Sequence, residues 1–210
     1  MQGGLPPSTP RCTSGATRWS AASTASNATA LSPADTTNRR PPSCGGRSAG
    51  NLPAFVERLQ ADGWTVCVIA TPSATKFVDA ERLSTLTGYP VRHDYKRPEE
   101  PDVLPTADAI AVVPATFKWA QGISDTLALG LLNEALGLGL PIVAVPWPNH
   151  ALAKHPAFPR SVARLKEWDV RVILDWDRLP APNSGAPGAI SFPWEELSQT
   201  LRAVRGNLRS

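Results

Sequence analysis

From Asn51 onward, apolar and polar positions fall into blocks that read in turn as helix and strand. Leu52, Phe55, Val56 and Leu59 recur at i, i+3, i+4 and i+7, the stripe of an amphipathic helix. Asn51 is placed to cap its start and Gly63 to end it. Thr65-Val66-Cys67-Val68-Ile69-Ala70 is an unbroken β-rich run, suited to a strand buried on both faces. Residues 71–89 read as a loop with short helical turns. A second buried strand covers Ala109 to Val113 and stops at Pro114. A long apolar helix is predicted from Lys118 to Leu138, followed by a third strand from Pro141 to Val145 that stops at Pro146. A helix over Phe158–Trp168 leads to a fourth strand, Val170–Leu174. After a Pro/Gly-rich loop at 180–189, Trp194, Leu197, Leu201, Val204 and Leu208 stripe one face of a final helix.

Strands alternating with helices predict βαβ units, hence an α/β fold with a three-layer, Rossmann-like (flavodoxin-like) parallel sheet. Right-handed crossovers put helices on both faces. In such sheets ligands sit at the carboxyl ends of the strands. Those ends are Thr71-Pro72-Ser73-Ala74, Pro114-Ala115-Thr116 and Pro146-Trp147-Pro148-Asn149. No G-x-G-x-x-G fingerprint stands near the first helix, which argues against a nicotinamide cofactor.

The first fifty residues break the pattern. They contain no Ile, Val, Phe or Tyr, while Ser and Thr fill 15 positions and Pro six, too little apolar surface to offset the entropy of ordering. Residues 1–50 are therefore expected to be a disordered or non-native tail and residues 51–210 the folded domain. An Arg-rich, acid-poor transit peptide and a disordered linker are the other readings of this composition. No apolar run precedes Leu52, so the first strand of the sheet is expected to be missing.

Charge divides at the same point. The tail carries five Arg and one Asp; the remainder has 16 basic and 17 acidic residues, so the folded part is nearly neutral. No Lys/Arg gathering follows residue 50, which argues against nucleic acid as a partner. No apolar stretch reaches a membrane span, and no membrane partner is expected. Cys12, Cys44 and Cys67 have neither metal-ligand spacing nor an even count, which fits a reducing, cytoplasmic setting and no metal.

Four motifs carry a resemblance. Thr71-Pro72-Ser73-Ala74 with Phe77-Val78, then Pro114-Ala115-Thr116, then Gly122-Ile123-Ser124-Asp125-Thr126-Leu127, and finally Pro146-x-x-Asn149 with Leu152 and His155-Pro156-Ala157 occur in this order. Together they resemble the homo-oligomeric flavin-containing cysteine decarboxylases, the phosphopantothenoylcysteine decarboxylase-like flavoproteins. The resemblance covers about residues 50–175 and implies FMN at the carboxyl edge. It implies Ser73 on the phosphate side, with Thr71, Phe77, Pro114, Ala115, Thr116 and Asp125 around the cofactor. It places Gly45 and Ser48, in Gly45-Gly46-Arg47-Ser48-Ala49-Gly50, as the remnant of a phosphate loop, and turns Asn149 toward a small-molecule substrate. It also implies a homo-oligomer, trimeric or larger.

The chain departs from the family pattern at several points. It is about four residues shorter between Phe117 and Lys118, where the family carries an Asn-Thr pair. Glu100 aligns best with the family's catalytic histidine, and His93 falls too early. Pro148 and Leu152 replace two methionines. Trp119 and Trp147 read as packing residues, and Cys67 as inert core. The functional expectation is an FMN-binding flavoprotein acting as a decarboxylase or oxidoreductase on a small cysteine-like or thiol substrate. The alternative is a catalytically degenerate flavoprotein fold serving as a binding or regulatory subunit. A flavin prenyltransferase-type protein ranks lower, because no basic phosphate site can be placed.

Overall fold

The structure is a computed structural model that describes residues 17–23, 49–71, 74–93, 103–115, 127–182 and 192–208. Five strands form one parallel sheet: β1 (Thr17–Ser23), β2 (Trp64–Ala70), β3 (Ala109–Ala115), β4 (Ile142–Pro146) and β5 (Arg171–Val172). Their order is β2-β1-β3-β4-β5. The helices are α1 (Leu52–Ala61), α2 (Ala80–Thr87), α3 (Leu127–Gly137), α4 (His150–Ala153), α5 (Ala157–Glu167) and α6 (Trp194–Leu208). This is the doubly wound, flavodoxin-like arrangement that alternating strands and helices predict.

The expected absence of a first strand is corrected. Thr17–Ser23 pairs with β2 from Thr17↔Trp64 to Ser23↔Ala70, and with β3 from Trp19↔Ala109 to Ala22↔Val112. Its sequence, Thr-Arg-Trp-Ser-Ala-Ala-Ser, offers no Val, Ile, Leu or Phe, so no apolar run marks it. Strand preference depends strongly on position in the sheet. An interior slot between two strands supplies backbone partners on both sides, and unpaired inner edges would be costly.

The predicted α1 stripe is realised: Leu52, Phe55, Val56 and Leu59 are all buried. Pro53 in the first turn costs nothing, because its missing N–H would have had no intrahelical partner. The short helical turns expected over 71–89 are a 3-10 turn at Ala74–Lys76 and α2. Asp79 caps it by accepting from the Arg82 N–H, and Gly88 closes it in the left-handed region at φ 74°. β3 and β4 are buried along their whole length, forming the centre of the core. Both run one residue or more past the predicted stops: Pro114 lies inside β3, and Pro146 ends β4 paired with Ala115. The register shifts between Val112 and Ala115, and such an irregularity accommodates a residue that cannot donate to the ladder. β5 is shorter than the run Val170–Leu174 suggests, and the predicted helix over 118–138 is described only as α3.

α1 and α6 lie side by side and run the same way. Phe55 meets Trp194 at 4.9 Å near their starts, Arg58 Nη1 meets Glu195 Oε2 at 2.6 Å, and Arg202 Nε meets Asp62 Oδ2 at 2.9 Å just past the end of α1. Leu197, Leu201 and Val204 of α6 are buried and Trp194 is half-buried, so the predicted final stripe docks except at its last member, Leu208, which is exposed. Since α1 runs back from the carboxyl edge to the start of β2, both helices begin at the carboxyl edge of the sheet.

Candidate functional site at the carboxyl edge

The strand order fixes where a ligand can enter. From β1 the chain crosses to β2 on one side, whereas β3 leads on to β4 on the other. The crossovers therefore part between the carboxyl ends of β1 and β3, and a crevice opens at this switch point. Ser23 and Ala115 end the two strands.

Of the predicted site residues, Thr71, Phe77, Pro114, Ala115 and Asn149 are described, and all five belong to this edge. Gly45, Ser48, Ser73, Thr116 and Asp125 lie outside the described residues, as do Glu100 and Trp119. Thr71 is buried, and its Oγ1 accepts from the Ala74 N–H at 3.2 Å. Its carbonyl accepts from the same N–H at 2.8 Å, so both oxygens fold the loop back on itself. Phe77 is half-buried against the core. Ala115 is fully buried at the end of β3. Asn149 is half-buried and caps α4, its Oδ1 accepting from the Leu152 N–H at 2.9 Å.

The structure ties two of these loops together directly. The Trp147 N–H donates to the Ala115 carbonyl at 3.0 Å, joining the ends of β3 and β4. The Trp147 ring is buried, as expected of a packing residue, and meets Phe192 edge-on at 5.2 Å. Phe192 lies 4.5 Å from Trp194, and Trp194 lies 4.9 Å from Phe55 in the first turn of α1. No sequence signal connects Phe192 to the β4 loop. Thr71 and Phe77 follow β2, which is separated from β3 by β1, so they stand on the far flank of the crevice.

The histidines do not converge. His93 is exposed beside Arg92, which bridges to Ile69 along the outer edge of β2, away from the switch point. His150 is exposed, and its backbone N–H donates to the Pro180 carbonyl at 2.8 Å. His155 is exposed, and its Nδ1 accepts from the Ala157 N–H at 3.2 Å. Cys67 sits buried mid-strand, and burial pushes its thiol up to about 11, which leaves it unreactive. Among the described residues no group of His, Cys, Asp and Glu could hold a metal ion, and no helix is long and apolar enough to cross a membrane. A shallow groove lined by Asp79, Glu81, Arg82, Thr85 and Leu86 lies along α2 and contains none of the predicted site residues.

A parallel sheet in this order, with its strand-end loops gathered at a switch point, defines the doubly wound class of mononucleotide-binding folds. A model of the family described as Flavoprotein matches residues 43–205, and the chain belongs to that family. It is 25% identical over 156 residues to the coenzyme A biosynthesis bifunctional protein CoaBC of Borreliella burgdorferi. That match covers 70% of this chain but 39% of the relative, so the chain spans well under half of the relative's length. Among solved structures it is similar to the FMN-dependent cysteine decarboxylase SpaF, with a TM-score of 0.56 and 19% identity, covering 87% of this chain and 97% of that one. It is also similar to a dodecameric FMN-dependent UbiX-like decarboxylase from Escherichia coli O157:H7, with a TM-score of 0.53 and 11% identity, covering 82% of this chain and 87% of that one. At these identities the solved structures establish the fold, which agrees with the resemblance read from the four motifs.

Proposed function

We propose that this flavoprotein binds FMN along the carboxyl edge, at the β1/β3 crevice, and acts on a small cysteine-like or thiol substrate as a decarboxylase or related oxidoreductase. The observation that carries this is the joined rim: Ala115 at the end of β3 and the Asn149 loop after β4 are held together at the switch point of a fold whose family is flavin-binding. The domain assigned to this activity comprises residues 51–210 together with β1.

The residues present fit the cofactor. α1 begins at the carboxyl edge with no acidic residue in its first turn and no side-chain cap from Asn51. The positive end of its dipole favours an anion such as the FMN phosphate. Thr71, Phe77, Pro114 and Ala115 would border the cofactor, joined by Gly45, Ser48, Ser73, Thr116 and Asp125. When bound, FMN supplies a two-electron acceptor for oxidation of a thiol, the chemistry that lets an adjacent carboxylate depart as carbon dioxide. The protein's part is to bind, orient and exclude water. Asn149 has its Oδ1 committed to α4, so its Nδ2 is the group free to donate to a substrate carboxylate. A homo-oligomer, trimeric or larger, is part of the same proposal, supported by the dodecameric assembly of a structural neighbour.

The test is direct. Protein purified with bound flavin, or reconstituted with FMN, is expected to be yellow, with visible flavin absorbance. Carbon dioxide release from peptides or small molecules ending in cysteine then tests the reaction. Protein that stays colourless and gives no change on FMN titration overturns the proposal in favour of a degenerate binding or regulatory subunit.

A further inference from the structure

Two prolines leave the site's rim short of backbone donors. Pro114 in β3 and Pro146 in β4 have no N–H, and the register between these strands shifts just before Ala115. The first donor beyond both prolines is the Trp147 N–H, which re-ties the strands through the Ala115 carbonyl at 3.0 Å. A single backbone bond contributes little by itself, about 1 kcal/mol net. What distinguishes this one is that its residue is anchored by a side chain only 2% exposed.

The anchor comes from the far end of the chain. Phe192, 3% exposed, meets the Trp147 indole edge-on at an interplanar angle of 67°, a favoured aromatic geometry. The row continues through Trp194 to Phe55. It thus links three parts of the proposed flavin site: the first turn of α1, the end of β3 and the loop after β4. Two residues beyond Trp147, Asn149 caps α4, and the next N–H, from His150, is tied to the Pro180 carbonyl at 2.8 Å.

We infer that Phe192 and Trp147 are positioning residues: the segment leading into α6 clamps the Trp147 ring and so fixes the Ala115 and Asn149 rims relative to one another. This rests on the proposed flavin site. The clamp itself is a property of the protein without ligand. It adds to the site a residue from outside the strand-end loops, one that acts through Trp147 and touches neither cofactor nor substrate.

The test compares Phe192→Leu and Phe192→Ala with Leu201→Ala, a fully buried core position further along the same helix. Two quantities are read well below the melting temperature of every variant. One is amide hydrogen exchange at Trp147 and Leu152 in the full chain, and the other is the FMN dissociation constant. Phe192→Leu is expected to speed exchange at those two amides and to weaken FMN binding, each by about tenfold. Leu201→Ala is expected to lower the melting temperature at least as much while leaving both readings within about twofold of the parent. Phe192→Tyr, which restores a ring, is expected to recover both. Equal changes in the Leu201 and Phe192 variants, or unchanged exchange in Phe192→Ala, would overturn the clamp. A parent chain that does not bind FMN overturns the proposed function, and the exchange contrast then decides the clamp separately.

Discussion

Arg205, near the end of α6, donates from Nη2 to the carbonyl of Gly63 at 3.0 Å and from Nη1 to the carbonyl of Asp62. One guanidinium thus caps the end of α1, whose last carbonyls have no intrahelical partner. Gly63 makes this approach possible in two ways. Its φ of 83° lies in the left-handed region, and a Cβ there would collide with the guanidinium.

Gly63→Ala is therefore expected to destabilise the protein by about 2 kcal/mol, from backbone strain and the displaced cap together. Arg205→Ala should cost about 1 kcal/mol, the loss of charge-assisted bonds at a half-buried helix end. In the double variant the collision is absent, so the two losses should fall short of additive in chemical denaturation. Strict additivity would mean that the glycine is required for its backbone conformation alone.

Ser198 presents the opposite case. It is fully buried on α6, and its Oγ has no hydrogen-bond partner among the described residues. A buried hydroxyl without a partner loses its hydration and gains nothing in return. Ser198→Ala removes that atom and improves helix propensity, and it is expected to stabilise the fold by about 1 kcal/mol. A lowered denaturation midpoint would show that the hydroxyl is satisfied, for instance by an internal water.

These contacts mark the boundary of what the sequence reveals. α1 and α6 are legible because each is buried on one face, which imposes a period near 3.6 on their apolar residues. β2, β3 and β4 are legible because burial on both faces demands unbroken apolar runs. β1 holds an interior position yet is built from Ser, Ala, Thr, Arg and Trp, so only its neighbours disclose it. α2 is short, and its evidence lies in its ends, Asp79 and Gly88, more than in a stripe. The site divides similarly. Strand ends locate Thr71, Ala115 and Asn149 at one edge, because parallel topology puts ligands there. The Trp147–Phe192 contact joins elements distant in sequence, and no local pattern encodes it.

Cys67 gives a dependence on pH. Burial raises its thiol from 9.0 to about 11 in the folded protein. The folded state therefore holds the proton more tightly than the unfolded state. The stabilisation is fully present below pH 9 and is lost as pH rises through about 11. The loss should be on the order of 2 kcal/mol. Other groups titrate in this window, so the informative comparison is with Cys67→Ala, whose stability should decline less steeply between these limits. Identical slopes would refute the raised value. The same burial predicts that a thiol reagent modifies Cys67 only at the rate of unfolding.

Asn149 separates stability from binding most cleanly. Its Oδ1 caps α4 through the Leu152 N–H, and its Nδ2 is the donor proposed to meet the substrate. Asn149→Ala loses both functions and should cost about 1 kcal/mol, the usual value of an N-cap. Asn149→Asp keeps a capping oxygen and adds a negative charge that a helix N-terminus favours, so its stability should equal or slightly exceed that of the parent. It also replaces the donating Nδ2 by an acceptor, which would repel the carboxylate of the proposed substrate. The aspartate variant is therefore expected to be as stable as the parent and still able to bind FMN. Its KM for a cysteine-terminated substrate should rise by about a hundredfold, in line with a charge-assisted bond exchanged for repulsion. An aspartate variant with unchanged KM would remove Asn149 from the substrate site and leave it a helix cap alone.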